Sequence, residues 1–277
     1  AITNQFLKEF PKVKNVNLLE LGPGNGLLSM DIYDYLKSKN VIVNDLTLLE
    51  KSEYFREKIS EKSEVKVNFI KNMYDYKIDN GDVVFIYSNE FFDAIGSKQF
   101  IYNNGNFNEI KISKNNDEYL LIKDSTIISR ELLNYYSSYN FKDNDILEHS
   151  NLILNILSDI QKLECKKYFF TTTDYGYTKL PFKSTLRLLS NHKKLNLFDK
   201  FENVDYSFGV NFELMNSFFL KNNPSIIYQK DLILNNLPSE YLKSSDKNIK
   251  EMIDLISGKK FGGMGTSFLN FSFKKNE

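Results

Sequence analysis

The sequence predicts an α/β fold, a doubly wound and mostly parallel sheet carrying an inserted antiparallel cap. Three observations predict it. Strand and helix signals alternate at short intervals through the first part of the chain, a glycine-rich turn follows the first strand, and the alternation then gives way to hairpin signals.

Val16 to Leu21 is a compact apolar run ending at glycines, as a buried parallel strand requires. Leu27 to Lys37 places Leu28, Ile32, Tyr35 and Leu36 at helical spacing. Asn44 to Leu49 predicts a second strand, Ser52 to Ser60 a helix, and Val65 to Ile70 a third strand. Asp82 to Tyr87 is the fourth strand and the strongest by composition. Such a βαβαβ rhythm implies right-handed crossovers. After Ile95, Gln99 to Tyr102 and Phe107 to Ile112 flank an Asn-Gly turn and predict a hairpin. A second hairpin signal lies at Lys114-Asn115-Asn116-Asp117, before Tyr119 to Ile122. Helical pattern covers Ser129 to Tyr139 and Leu152 to Leu163, and Lys167 to Thr173 is a strand running into Asp174-Tyr175-Gly176. The tail predicts a helix at Phe212 to Leu220, a strand at Ile226 to Leu234, a helix at Lys247 to Ile256 and a strand at Ser267 to Phe273. Residues 1–96 with 150–277 form the expected core, and 97–149 the expected cap of hairpin and helix.

Composition narrows the function classes. A chain of 277 residues, 42% hydrophobic, buries a sizeable core. Lys+Arg 36 balances Asp+Glu 36, so there is no broad basic field to recruit nucleic acid. The single cysteine, Cys165, excludes an internal disulfide and a cysteine-based zinc site, and fits a reducing compartment. His149 and His192 are too few and too isolated for a metal site. Neither a long apolar span nor a secretory leader is evident.

In the turn Glu20-Leu21-Gly22-Pro23-Gly24-Asn25-Gly26 the glycines are spaced G-x-G-x-G between a strand and a helix. Glycine lets the backbone bend sharply and lets a ligand approach the main chain, while the helix N-terminus offers free N–H groups. A dinucleotide turn places its third glycine one residue later, where this chain has Leu27. Glu20 would repel a pyrophosphate and suits the cationic amino group of a methionine moiety. Glu50, closing the second strand, can accept both hydroxyls of an adenosine ribose. The fourth strand delivers Ser88-Asn89-Glu90-Phe91-Phe92-Asp93-Ala94, in which two carboxylates with flanking aromatics suit a guanidinium. The cofactor set is Glu20, Gly22, Gly24, Gly26, Glu50, Asn72 and Asn89. The catalytic set is Glu90, Asp93 and Asn89; Phe92, Arg187 and His192 form the substrate set, and no metal is expected.

The run Leu19 to Gly26 with Leu28 and Asp31 resembles the glycine motif of the MidA-type protein arginine methyltransferases, which include a mitochondrial assembly factor for respiratory complex I. Further segments agree in order: Leu49-Glu50-Lys51-Ser52, Ser88 to Ala94 with Gln99-Phe100, Asp174-Tyr175-Gly176, Thr185-Leu186-Arg187 with His192, and Asp205 to Phe212. Asn25 and Leu27 stand where the family has Arg and Thr, Ile95-Gly96 where it has Leu-Pro, and nothing matches the family's additional N-terminal region. The resemblance implies a Rossmann-like class I methyltransferase fold and S-adenosyl-L-methionine as cofactor. It also implies methyl transfer to an arginine of a protein linked to complex I, in the cytoplasm of a bacterium or the mitochondrial matrix of a eukaryote. In that reading Glu90 and Asp93 hold the guanidinium, and Arg187 and His192 line the substrate side. Two alternatives stay open: a methyltransferase for small molecules or nucleic acid, and an assembly protein that binds a partner without turnover. An NAD-dependent oxidoreductase is disfavoured by Glu20 and Leu27.

Overall fold

Val16 to Leu21 are all buried, Asn17 and Glu20 included, and a strand buried along its length belongs in the middle of a sheet covered on both faces. The computed structural model describes residues 1–78, 83–115, 118–124, 130–190, 193–198, 204–258 and 264–276. Its first elements are α1 (Ile2–Glu9), β1 (Asn15–Leu21), α2 (Leu27–Ser38), β2 (Ile42–Leu49), α3 (Glu53–Lys62), β3 (Asn68–Ile70) and β4 (Val83–Asn89). There follow β5 (Lys98–Asn103), β6 (Asn106–Asn115), β7 (Glu118–Asp124), α4 (Arg130–Tyr135), β8 (Ile146–His149), α5 (Asn151–Gln161) and β9 (Lys167–Tyr177). Next come β10 (Arg187–Ser190), β11 (Lys193–Lys194), β12 (Asp205–Ser207), β13 (Val210–Asn211) and α6 (Phe212–Phe218). The chain closes with β14 (Ser225–Tyr228), α7 (Gln229–Asn236), α8 (Ser239–Leu242), α9 (Lys247–Ile256) and β15 (Phe268–Asn276).

Two compact units result. The first comprises Ala1–Phe91, Ile156–Tyr175 and Asn216–Glu277; the second comprises Phe92–Asn155 and Gly176–Met215. The first is built on a sheet ordered β14-β15-β9-β4-β1-β2-β3. β9, β4, β1, β2 and β3 run parallel, and β15 inserts antiparallel between β9 and β14. The order reverses between β1 and β4, and at such a switch point a ligand cleft opens beyond the carboxyl ends of the strands. One face packs Phe6, Ile32, Leu36 and Ile59 of the helices on Val16, Leu18, Leu46, Leu48 and Phe85. Phe6 stacks on Phe85 with ring centroids 4.6 Å apart. Phe170, Phe219, Phe271 and Phe273 form a second aromatic cluster. On the opposite face of the same strands, buried Asn270 donates to Thr171, Thr172 and Thr173 and pins β15 to β9.

The second unit holds an antiparallel sheet ordered β7-β6-β5-β8 and a small sheet β11-β10-β12. The predicted hairpin turn has Asn104 and Gly105 both at positive φ (49° and 80°), the conformation that Asn-Gly adopts between twisted strands. Phe100, Tyr136, Leu147 and Leu180 form its core, with Phe107, Phe141 and Phe182 packed around them. Residues 176–215 join the cap residues in this unit: Ile146 N–H donates to the Phe182 carbonyl, and Tyr177, Leu180 and Phe182 pack with Phe100, Tyr136 and Leu147.

One expectation is corrected and one strand is added. The strand expected over Ile226 to Leu234 stops at Tyr228, and Gln229–Asn236 is helical. The run Leu232-Ile233-Leu234 is too short for periodicity to tell strand from helix. β8 went unpredicted because Ile-Leu-Glu-His has no alternation, yet it pairs with β5 along its length. Asp82, Asn116, Asp117 and Ser129 lie outside the described residues.

Candidate functional site

The carboxyl edge of the parallel sheet in the first unit gathers most of the expected cofactor residues. Gly22, Gly24 and Gly26 all take positive φ (68°, 53° and 79°), which L-residues with a Cβ rarely adopt. They differ in what surrounds them. A Cβ on Gly22 would meet the Phe91 ring at 2.4 Å and one on Gly26 would meet Ile59 at 3.0 Å, whereas one on Gly24 would meet nothing within 4 Å. Gly22 and Gly26 therefore serve packing as well as the turn, and Gly24 is the glycine that leaves open space beside the main chain. Gly22 N–H donates to the Leu49 carbonyl and Gly26 N–H to that of Pro23, which folds the turn back on β2. Helix α2 starts at once, with Gly26 as its cap residue and no side chain capping it. Of its first-turn N–H groups, that of Leu27 donates to Asn25 Oδ1 and that of Ser29 to the Glu20 carboxylate, so Leu28 N–H is the one a ligand carboxylate or hydroxyl could use.

Glu20 is 2% exposed, and its Oε2 accepts from the Ser29 hydroxyl on the first turn of α2. Ser29 Oγ lies 2.7 Å from Tyr87 Oη; since the serine proton goes to the carboxylate, the tyrosine donates. Burial pushes the Glu20 carboxyl up to about 7, against the opposing pull of its bonds from Ser29. The same burial, with Glu20 nearby, raises the Tyr87 phenol well above its usual range. This chain of three polar groups ties α2 to β1 and β4 directly beneath the glycine turn. It occupies the Glu20 carboxylate that the sequence assigns to the cofactor.

The remaining residues surround the turn. Glu50, half-buried beyond β2, accepts from the Ser52 N–H at 2.7 Å. That bond holds the carboxylate at the strand end while leaving its other oxygen for a ligand hydroxyl. Asn72 follows β3 and donates to Asp75 Oδ2 at 3.3 Å. Asn89 and Glu90, at the end of β4, are exposed and bonded to each other at 3.2 Å. Glu90 takes a left-handed φ of 51°, a conformation that surroundings must enforce in a residue with a Cβ. Here Glu90 N–H donates to the Thr173 carbonyl (2.9 Å) and Phe91 N–H to Asp174 Oδ2 (3.2 Å). β9 thus clamps both sides of the strained residue, and Phe91 lays its ring on Gly22. The Asn89-Glu90-Phe91 segment and the glycine turn form one assembly.

The substrate residues read from the sequence belong to the second unit. Phe92 is fully buried, so its ring is out of reach of a ligand. Asp93 accepts through its backbone carbonyl from Phe208 N–H at 2.9 Å. Arg187 is exposed at the start of β10, opposite Ser207, and His192 lies outside the described residues. The sequence missed Glu148, the hub of this unit. Buried on β8, its carboxylate accepts from Gln99 Nε2 (2.7 Å), from Thr185 N–H (3.0 Å) and from the Thr185 hydroxyl. Thr185 Oγ1 in turn accepts from Gly209 N–H at 2.7 Å. One carboxylate thereby fixes the segment ahead of Arg187 and the turn behind Phe208. His149 beside it is a buried residue bonded to Tyr136 and Asn151. Among the described residues no helix is long and apolar enough to cross a membrane, and no cluster of His, Cys, Asp or Glu could hold a metal ion.

Residues 1–226 match the profile of the Methyltransf_28 family, described as S-adenosyl-L-methionine-dependent methyltransferases. Among solved structures, the chain is similar to an uncharacterized COG1565 superfamily protein from Burkholderia thailandensis: 15% identity, TM-score 0.80, over 99% of this chain and 78% of that one. It is also similar to a COG1565 superfamily member from the same organism bound to S-adenosyl-homocysteine: 14% identity, TM-score 0.76, over 99% and 75%. These likenesses establish a common fold. No curated protein matches by sequence.

Proposed function

Since the chain belongs to the family of S-adenosyl-L-methionine-dependent methyltransferases, with S-adenosylmethionine as its cofactor, we propose that its acceptor is an arginine side chain of a protein. The observation that carries this reading is Glu90: an exposed carboxylate held at a strained φ by β9, in the segment whose next ring lies on Gly22. Strain of this kind persists where a site needs a group aimed in one direction. A guanidinium offers a flat fork of donors that a carboxylate can take in two parallel bonds.

When bound, S-adenosylmethionine supplies an electrophilic methyl group on a sulfonium. The residues present suit it. Gly24 leaves the main chain open, Leu28 in the first turn of α2 offers an N–H donor, and Glu50 presents a carboxylate where ribose hydroxyls would lie. Glu90 does the work on the acceptor. By binding one edge of the guanidinium it orients the remaining ω-nitrogen and draws positive charge toward itself. That nitrogen's electron pair forms the N–C bond as the S–C bond breaks, and one proton leaves to solvent. Such a displacement asks mainly for alignment, worth up to roughly 7–11 kcal/mol. The resemblance of the Asn89 to Ala94 segment to the MidA-type enzymes supports arginine, and that resemblance alone points to a respiratory complex I protein as the substrate.

The reading is tested with methyl-labelled S-adenosylmethionine and arginine-containing proteins, identifying methylarginine by mass spectrometry. Wild type is expected to label arginine. Glu90→Gln is expected to lose transfer while calorimetry shows unchanged cofactor binding, with Asp93→Asn run alongside to assay the other carboxylate. Transfer at the wild-type rate by Glu90→Gln would sink the role assigned to it; label on a residue other than arginine would sink the substrate.

A further inference from the structure

β7 is the outer strand of the four-stranded sheet, paired only with β6 among the described residues. Outer strands are ordinarily short, charged or broken by proline, because their unpaired N–H and C=O groups template another strand. β7 is the reverse. Tyr119, Leu120, Leu121 and Ile122 follow one another with 53%, 48%, 52% and 43% of their surfaces exposed, and Ile112 of β6, paired opposite Leu121, is 55% exposed. Alternation puts Tyr119 and Leu121 on one face of the ribbon and Leu120 and Ile122 on the other, so both faces are apolar. Taking about 200 Å² for a large side chain, half exposed, Tyr119, Leu121 and Ile112 leave roughly 300 Å² of apolar surface on one face, and Leu120 and Ile122 roughly 200 Å² on the other.

We infer that β7 pairs antiparallel with β7 of a second copy of this chain, centred on Leu121, joining the two four-stranded sheets into one. Symmetry and chemistry select this register together. A two-fold axis through a continuous sheet keeps each residue on its own face, so facing residues are an even number apart and the axis passes through a residue. Centring on Leu120 sets the Glu118 carboxylate against the second copy's Ile122. Centring on Ile122 sets Asp124 against the second copy's Leu120. Centring on Leu121 sets leucine on leucine, Leu120 on the second copy's Ile122, and Tyr119 on the second copy's Lys123, an aromatic–cation pair. Glu118 then faces the second copy's Asp124, whose charge Lys111 already balances at 2.5 Å. On one face an aliphatic strip crosses four strands, from Ile112 through the two Leu121 side chains to the second Ile112. Pairing this regular is available to a copy of the same strand; an unrelated strand would have to reproduce it.

Cysteine cross-linking reads the register directly, because native Cys165 is buried. Leu121→Cys is expected to form a disulfide-linked dimer on mild oxidation. Tyr119→Cys and Lys123→Cys are each expected to stay unlinked alone and to link to each other when mixed. In sedimentation, wild type is expected to move from monomer to dimer with rising concentration, and Leu121→Lys to remain monomeric. An unchanged thermal shift with S-adenosylmethionine would show that Leu121→Lys is folded. A wild type monomeric at every concentration overturns the proposal, as does self-linking at 119 or 123 in place of 121. So does an apolar edge that is covered only when a different protein is added.

Discussion

Replacing Glu20 by Gln isolates the buried carboxyl beneath the glycine turn. Glu20 ordinarily titrates near 4.5, and in the fold its value is about 7. Below 4.5 the group is protonated in both folded and unfolded chains and costs nothing. Between 4.5 and about 7 the unfolded chain releases the proton and the folded chain keeps it, so stability falls as pH rises through that window. Above about 7 both forms are ionised and the loss is complete. At ~1.36 kcal/mol per pH unit the full effect is about 3 kcal/mol. The Glu20→Gln variant would carry no such titration, and its amide would keep an oxygen for the Ser29 hydroxyl. Urea unfolding of both proteins across this pH range should show the variant gaining about 3 kcal/mol on wild type between acid and mildly alkaline pH. Parallel profiles within ~1 kcal/mol would refute the buried-carboxyl reasoning. Repeating the series with saturating S-adenosylmethionine tells whether the carboxylate also meets the cofactor. A nearby ammonium would favour the ionised form and flatten the wild-type profile; an unaltered slope would leave Ser29 as its partner.

Further expectations concern the same two assemblies. Gly22→Ala should cost ~1–3 kcal/mol of stability from backbone strain, with an added penalty from the Phe91 ring that Phe91→Ala partly relieves, as thermal melts of the single and double variants would show. Glu50→Ala should weaken S-adenosylmethionine by about tenfold or more, the worth of a charged hydrogen bond at ~1.5–3 kcal/mol, measured by calorimetry. Thr185→Val removes both the donor to Glu148 and the acceptor for Gly209 N–H. It should cost ~1–3 kcal/mol and speed amide exchange at 185–187 and 207–210, whereas Thr185→Ser should retain protection. Wild-type exchange in the valine variant would remove Glu148 from its place as hub.

The strand–helix alternation, the glycine turn and the Asn-Gly hairpin were legible in sequence because each is a local demand. An apolar run, a positive φ and a two-residue turn are met or missed within a few residues. The positions of Glu50 and Glu90 at the ends of parallel strands were legible too, and such ends are where these sheets bind ligands. The strand over Ile226 to Tyr228 and its helical continuation were not separable, because three consecutive aliphatics satisfy either period.

Tertiary structure decided the rest, and each case joins residues far apart in the chain. Glu20 reads as a strand carboxylate beside the glycine turn, and only the fold shows that Ser29 donates to it and that Tyr87, from another strand, bonds Ser29. Gly22 reads as a turn glycine until Phe91 supplies a second reason for it. Glu148 reads as one acid among many until Gln99, Thr185 and, through Thr185, Gly209 converge on it. Phe92 reads as a substrate contact until burial removes it from reach. Local conformation follows from a residue and its neighbours. Which polar group is buried, and what satisfies it there, depends on elements that only the folded chain brings together.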